Sequence, residues 1–285
     1  MRIGVLIRLR KSVDIRQQFA DLRESGFSSC QMLLWPYGED NFFDLGMEEK
    51  AAEIKAACEE YGITISAFWC GWPGRAIWDN YSGPLTLGIV PPHTRDARVK
   101  AILKGSDFAK LIGIKNVVTH VGYIPVTHIH DPNYFNVIEA LKTIVLKCRS
   151  NGQNFLFETG QEPPIVLKRA ILDIEQGIGK GNVGINLDPA NLLCYGMGNP
   201  LTALDTFGEY VMGIHAKDAT VCTDPYSTAF EVPLGQGAVN YPAFIAKLKE
   251  IGYDSDITIE REITGEQQKK DIAMAKALLE ELIGG

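Results

Sequence analysis

Apolar residues in this chain fall into two alternating kinds of stretch. One kind is a short, nearly continuous run stopped by glycine, proline or charge, as expected of a strand buried on both faces. The other is longer, with apolar positions three and four residues apart, as expected of a helix lying on such a sheet. The first short runs fall at residues 3–7, 30–35, 63–69 and 116–119, the second of them stopped by Pro36. Helical stretches cover residues 12–24, 47–61, 94–111 and 131–149. Ser12 and Thr94 are expected as N-caps, Pro132 as a first-turn residue, and Gly26, Gly62 and Gly113 as terminators. In residues 47–61 the apolar side comprises Ala51, Ile54, Ala57, Cys58 and Tyr61. Residues 70–92 form a loop holding Trp72, Trp78 and Tyr81. A loop of that length in a compact domain is usually functional.

Four further runs share one design. Phe155-Leu156-Phe157 leads into Glu158, residues 183–187 into Asp188, Gly213-Ile214 into His215, and Ile257-Thr258-Ile259 into Glu260. Pro189, with no N–H to donate, stops the second of these ladders. Helices are predicted over residues 164–176, 201–207, 241–251 and 267–282. Eight strands then alternate with eight helices, which predicts an α/β fold, a closed (β/α)8 TIM barrel at roughly 30 residues per unit. No linker or low-complexity tract interrupts it, so residues 1–285 are expected to be a single domain. An open doubly wound sheet is the alternative, weakened because no G-x-G-x-x-G follows the first strand. Side chains at the C-terminal ends of barrel strands converge at the mouth. Glu158, Asp188, His215 and Glu260 there form an oxygen-rich site for one divalent metal ion, Mn²⁺ or Mg²⁺ first, with Zn²⁺ and Co²⁺ open.

Charge and cysteine usage narrow the setting. The net charge of −7 and pI near 5.3 oppose a nucleic-acid partner, which needs a basic face. Six cysteines show no C-x-x-C pair and read as reduced thiols in a cytoplasmic protein. The first apolar run is too short for a signal peptide and is interrupted by Arg8 and Arg10. No run approaches the 18 or so residues of a membrane span, so no membrane partner is expected. Oligomeric state is not readable, and the aromatic loop 72–81 leaves a homo-oligomer open.

Five motifs in order carry a resemblance: Glu158-Thr159-Gly160-Gln161-Glu162, Asn186-Leu187-Asp188-Pro189-Ala190-Asn191, His215-Ala216-Lys217-Asp218, residues 233–241, and Ile259-Glu260-Arg261-Glu262. With these the chain resembles the sugar phosphate isomerase/epimerase superfamily and its xylose isomerase-like TIM barrel, over nearly its whole length. The resemblance implies Glu158, Asp188, His215 and Glu260 as metal ligands. The chain also departs from relatives. Where ketose 3-epimerases usually have a histidine three residues after the metal Asp, it has Asn191. Where they place a second Glu six residues after the first, it has Pro164. The D-x-H pair of apurinic endonucleases is absent from residues 228–232, and five histidines in all argue against a trinuclear zinc site.

Other residues carry two readings each. A lone strand His is more often a satisfied core residue, but three carboxylates end neighbouring strands beside His215. Glu158 and Glu260 could instead sit in internal salt bridges, and Asp188 could merely start an Asp-Pro turn. Lys217 is either a solvated strand exit or a group that steadies a developing oxyanion. His120 either caps the core or binds a substrate hydroxyl, and His128 and His130 are taken as loop residues. Trp35, Trp69 and Trp72 form either a hydrophobic rim or an aromatic platform for the apolar face of a sugar. Asn191 and Glu162, inside the quoted motifs, join His120, Lys217, Trp69 and Trp35 as the expected substrate-binding set. Gly235 and Gly237 read as a plain turn rather than a phosphate loop. Glu262 puts negative charge where a barrel phosphate site would lie, so an unphosphorylated substrate is favoured.

The expected function is a metal-dependent isomerase or epimerase acting on a small-molecule sugar or sugar derivative. A proton next to a carbonyl is too weakly acidic for an unaided carboxylate, and a divalent cation chelated by substrate oxygens would stabilise the enediolate. Glu158 and Glu260 are the expected catalytic acid and base, one taking the proton and the other returning it. An inosose- or keto-sugar dehydratase on the same site is the alternative. An apurinic endonuclease-like hydrolase is more distant, and a non-catalytic carbohydrate-binding barrel would need a broken metal set.

Overall fold

The computed structural model describes residues 1–10, 13–35, 43, 46–127 and 130–285. Ser12, Pro36 and His128 lie outside them. The strands that form the barrel are β1 (Arg2–Arg8), β2 (Ser29–Leu34), β3 (Thr64–Cys70), β4 (Asn116–Thr119), β5 (Asn154–Glu158), β6 (Val183–Leu187), β7 (Val211–Ala216) and β10 (Asp256–Ile259). Among the described residues these eight close in the order β1-β10-β7-β6-β5-β4-β3-β2, every neighbouring pair parallel. The helices packed outside are α1 (Ile15–Glu24), α2 (Met47–Tyr61), α4 (Pro92–Ile112), α5 (Pro132–Ser150), α6 (Pro164–Ile178), α8 (Pro200–Phe207), α9 (Tyr241–Glu250) and α10 (Glu266–Gly284). The result is a single TIM barrel domain.

Strand parity explains why the polar residues meet. Successive side chains of a strand point to opposite faces. Phe155, Phe157, Val183, Ile185, Ile257 and Ile259 are buried outside the barrel in the large core shared with the helices. The alternate positions point inward. Leu33, Ala67, Trp69, Val118 and Leu156 form a small separate apolar layer inside. One step further along the inward rows come Trp35, His120 and Glu158, and on the other strands Asp188, His215, Lys217 and Glu260. The polar cluster therefore sits on an apolar plug at the C-terminal end.

Local chemistry sets the helix ends, with some differences from the sequence reading. Asp131 caps α5 through Asn133 N and Pro132 occupies its first turn, as expected. Helix α1 is capped by Asp14, whose carboxylate accepts from Arg16 N. Helix α4 does not begin at a Thr94 cap. It starts two residues earlier at Pro92, where the fixed φ of proline suits the first turn.

Several short elements were not foreseen: α3 (Gly83–Thr86), α7 (Pro189–Cys194), a 3-10 turn over Gly208–Tyr210, and an antiparallel pair, β8 (Asp218–Ala219) with β9 (Glu231–Val232). That pair folds the segment after β7 back across the mouth. The loop between β3 and α4 is tied down from beneath. Arg98, buried, donates to the carbonyls of Pro73, Arg75, Thr86 and Gly88 and lies 4.2 Å from the Trp72 ring centre. Gly88, at φ +64°, abuts Val121 so closely that a Cβ would fall 1.8 Å from its carbonyl oxygen.

Candidate metal centre and active site

Glu158, Asp188, His215 and Glu260 converge as the strand ends predict. All four are buried, and one ligand atom from each lies within 4.8 Å of the others. His215 Nδ1 is 3.0 Å from Glu158 Oε1, 3.0 Å from Glu260 Oε2 and 3.8 Å from Asp188 Oδ2. Yet His215 Nδ1, Asp188 Oδ2 and Glu260 Oε2 are buried atoms without a hydrogen-bond partner. Unpaired buried polar atoms are rare because each costs its lost hydration. Three of them facing one point fit the donor set for a hard divalent cation: carboxylate oxygens and one imidazole.

In three of the four candidate ligands the other polar atom is engaged. Asp188 N-caps α7, its Oδ1 accepting from Asn191 N at 2.9 Å, so the Asp-Pro turn and the ligand role use different oxygens. Glu158 Oε2 accepts the indole N–H of Trp69 and lies 3.4 Å from His120 Nε2. His215 Nε2 is 2.6 Å from Gln31 Oε1.

The electrostatics follow from burial and opposed charge. Burial pushes the Glu158 carboxyl up, but His120 and His215 outweigh it and hold it below the ordinary range. For Glu260 burial is likewise outweighed, by Lys217 and His215, and its carboxyl is driven far down. Burial dominates at Asp188 and raises it against the pull of Lys217. Burial would lower His215 and Lys217, but the carboxylates around each raise both well above their usual values, Glu260 foremost. Lys217 is buried, its Nζ 3.2 Å from Glu262, 3.5 Å from Glu260 and 3.7 Å from Asp188. It is a cation inside the site rather than a solvated strand exit.

A cavity of about 440 Å³ opens above these residues. Trp35, Trp69, His120, Asn191 and Lys217 line it, together with Glu158 and Glu260. Two expected residues stand elsewhere. Trp72 is fully buried, its indole donating to Thr119 Oγ1 and the His120 carbonyl, so it supports the wall from behind. Trp78 occupies the cavity side instead, partly exposed and 5.2 Å from the His120 ring. Glu162 is buried behind the lining, and burial raises its carboxyl well above the usual range. The glycine turn before α9 is already occupied by an internal anion. Gly235 N and Gly237 N each donate to Asp218 Oδ2 at 3.0 Å. Arg261, next to Glu260, is paired with Glu231 and Asp271.

Sequence reasoning gave no site role to Gln31, Asn186 or Trp78, nor to Tyr195, which also lines the cavity. Trp78 lay in a loop flagged as functional. Gln31 carried only one signal, an amide inside an otherwise apolar run; Asn186 carried that signal and also opens one of the quoted motifs.

With the barrel and its candidate ligand set in view, comparison with known proteins places the chain. The family described as xylose isomerase-like TIM barrel matches residues 19–280. The chain belongs to that family. A xylose isomerase domain protein from Planctomyces limnophilus is 31% identical, with a TM-score of 0.86 over 99% of this chain and 96% of that one. An uncharacterized protein of Methanocaldococcus jannaschii is 29% identical over 180 residues, 59% of this chain and only 56% of that protein's length. A xylose isomerase-like barrel from Mycobacterium smegmatis, solved in complex with magnesium, is 19% identical with a TM-score of 0.70, covering 99% of this chain and 97% of that one. Other barrels under 25% identical include a 3-keto-D-glucoside 4-epimerase from E. coli and a probable 3-DHS dehydratase from Bacillus anthracis, a likeness of fold.

Proposed function

We propose that this chain is a divalent-metal-dependent isomerase or epimerase of an unphosphorylated sugar or sugar derivative. The observation that carries the reading is the set of buried atoms without a hydrogen bond, converging on one point: Asp188 Oδ2, His215 Nδ1 and Glu260 Oε2. Three buried carboxylates share this small volume with Lys217 as the nearest fixed cation. A bound cation would satisfy the free oxygens and the imidazole nitrogen together. Glu158, Asp188, His215 and Glu260 would hold it, Mn²⁺ or Mg²⁺ before Zn²⁺ or Co²⁺. When bound, such an ion supplies Lewis acidity that makes a proton next to a carbonyl removable. The magnesium complex of the related-fold Mycobacterium smegmatis barrel supports that choice.

The chain's own residues supply the rest. Glu158 on β5 and Glu260 after β10 approach the cavity from strands separated by β6 and β7. One takes the proton and the other, protonated from solvent, gives one back. Return to the opposite face of the same carbon inverts it, which is epimerisation; return to the neighbouring carbon is isomerisation. Lys217 Nζ, beside Glu260, holds the negative charge that develops on the substrate oxygen. Trp35 and Trp78 offer aromatic faces to the apolar C–H side of a sugar ring, and Asn191 offers an amide to its hydroxyls. The same first step followed by loss of a β-hydroxyl would be dehydration. The epimerase and the probable dehydratase of like fold both accord with that shared step.

Metal analysis of the purified chain tests the reading. It predicts about one divalent ion per chain, removed by chelator together with activity and restored with Mn²⁺ or Mg²⁺. His215→Ala and Asp188→Asn should abolish binding; metal content equal to the parent's in both would misplace the site.

A further inference from the structure

Below the metal set two amides interrupt the apolar interior of the barrel. Gln31 on β2 and Asn186 on β6 are both fully buried. Gln31 Oε1 faces His215 Nε2 at 2.6 Å, and Gln31 Nε2 donates to Asn186 Oδ1 at 3.1 Å. Each amide sits where the sheet register slips. Between Cys30 and Gln31 the facing β3 carries one extra residue, Ser66; between Ile185 and Asn186 the facing β7 carries one, Met212. Such bulges re-aim side chains. Room for the arrangement comes from Gly213, opposite Asn186: a Cβ there would fall 2.5 Å from Asn186 Oδ1.

An imidazole is a metal ligand only through a nitrogen with a free lone pair, and its other N–H normally needs an acceptor that fixes the ring. Asn186 takes the N–H of the Gln31 amide, which turns the Gln31 oxygen toward His215. That oxygen can only accept, so Nε2 carries the proton. Nδ1 is then the nitrogen left facing Glu158, Asp188 and Glu260.

We propose that Gln31 is a positioning residue of the metal centre: anchored on Asn186, it accepts the Nε2–H of His215 and so presents Nδ1 to the ion. This role rests on the metal-site reading above, and the test separates the two. The whole chain, labelled with ¹⁵N-histidine, would be followed by NMR before and after Mg²⁺ addition, with His215→Ala assigning the signal. The expected result is a slowly exchanging Nε2 proton on His215 in both states. In Gln31→Leu that proton should be lost and the Mn²⁺ dissociation constant, read by EPR, should rise about 10- to 100-fold. Gln31→Glu keeps an acceptor oxygen and should retain the proton.

Persistence of the protected proton and of the parent's Mn²⁺ affinity in Gln31→Leu would overturn the proposal. Should Gln31→Leu not fold, the parent spectrum still decides. No protected Nε2 proton in the Mg²⁺ spectra of a parent that binds Mn²⁺ by EPR overturns Gln31's role alone. A protected proton in a parent that binds no Mn²⁺ overturns the metal reading and, with it, this role.

Discussion

Trp69 illustrates how much one inward-facing side chain decides at the residue scale. Its ring lines the cavity, while its indole N–H is spent on Glu158 Oε2. Trp69→Phe keeps the apolar face and removes the donor. It is expected to weaken Mn²⁺ binding about 10- to 100-fold, as loss of a ligand's supporting hydrogen bond does, with little change in Tm. Unchanged affinity would reduce Trp69 to wall packing. Glu162 gives a pH prediction. Burial first, and Glu158 in addition, raise its carboxyl well above 4.5. The unfolded chain releases that proton near 4.5 while the folded chain keeps it, so the stability tied to Glu162 is present below 4.5 and is lost as pH rises. Glu162→Gln removes this dependence. Its Tm should exceed the parent's increasingly from pH 5 to pH 8; parallel curves would place Glu162 in a solvated or paired state. The convergence of Glu158, Asp188, His215 and Glu260, the proposed ligands, was legible in the sequence because each ends an apolar run. The Gln31–His215 and Trp69–Glu158 contacts were not, because they cross the barrel between strands far apart in the chain.

The element that changes the site most is the short β8–β9 pair that folds back over the mouth. Asp218 organises it. Its carboxylate accepts from the backbone N–H of Ala219, Gly235, Gly237 and Val239 at 2.9–3.1 Å. Asp218→Ala leaves these donors, those of Ala219 and Val239 buried, without their acceptor, and the loss should be about 3 kcal/mol, given the worth of hydrogen bonds to a charged group. Urea unfolding measures it. A loss under 1 kcal/mol would mean that water replaces the carboxylate. Strands and long helices were legible from apolar periodicity because they repeat it over several turns or pleats. The bounds of α2 and β4 agree with expectation to the residue. A two-residue strand such as β8 or a six-residue helix such as α7 has no period to read. The start of α4 was misplaced because a capping threonine and a first-turn proline lie two residues apart and the proline prevails.

At the scale of the whole molecule, the closed parallel barrel brings separate strand ends together at one mouth. Among the described residues no helix is long and apolar enough to cross a membrane. The central claim is that one of Glu158 and Glu260 removes a carbon-bound proton and the other, protonated from solvent, supplies its replacement. Its direct test is NMR of ketoses, aldoses, inososes and 3-keto-sugars incubated with the Mn²⁺-loaded chain in D₂O. The account predicts deuterium next to a carbonyl in the true substrate, with at least about a 10²-fold loss in Glu158→Gln and in Glu260→Gln, the lower range for a positioned general base. The site of the label then names the outcome: an inverted carbon for epimerisation, the former carbonyl carbon for isomerisation, a lost hydroxyl for dehydration. Deuterium in none of these sugars, or full activity in both Gln variants, would contradict it.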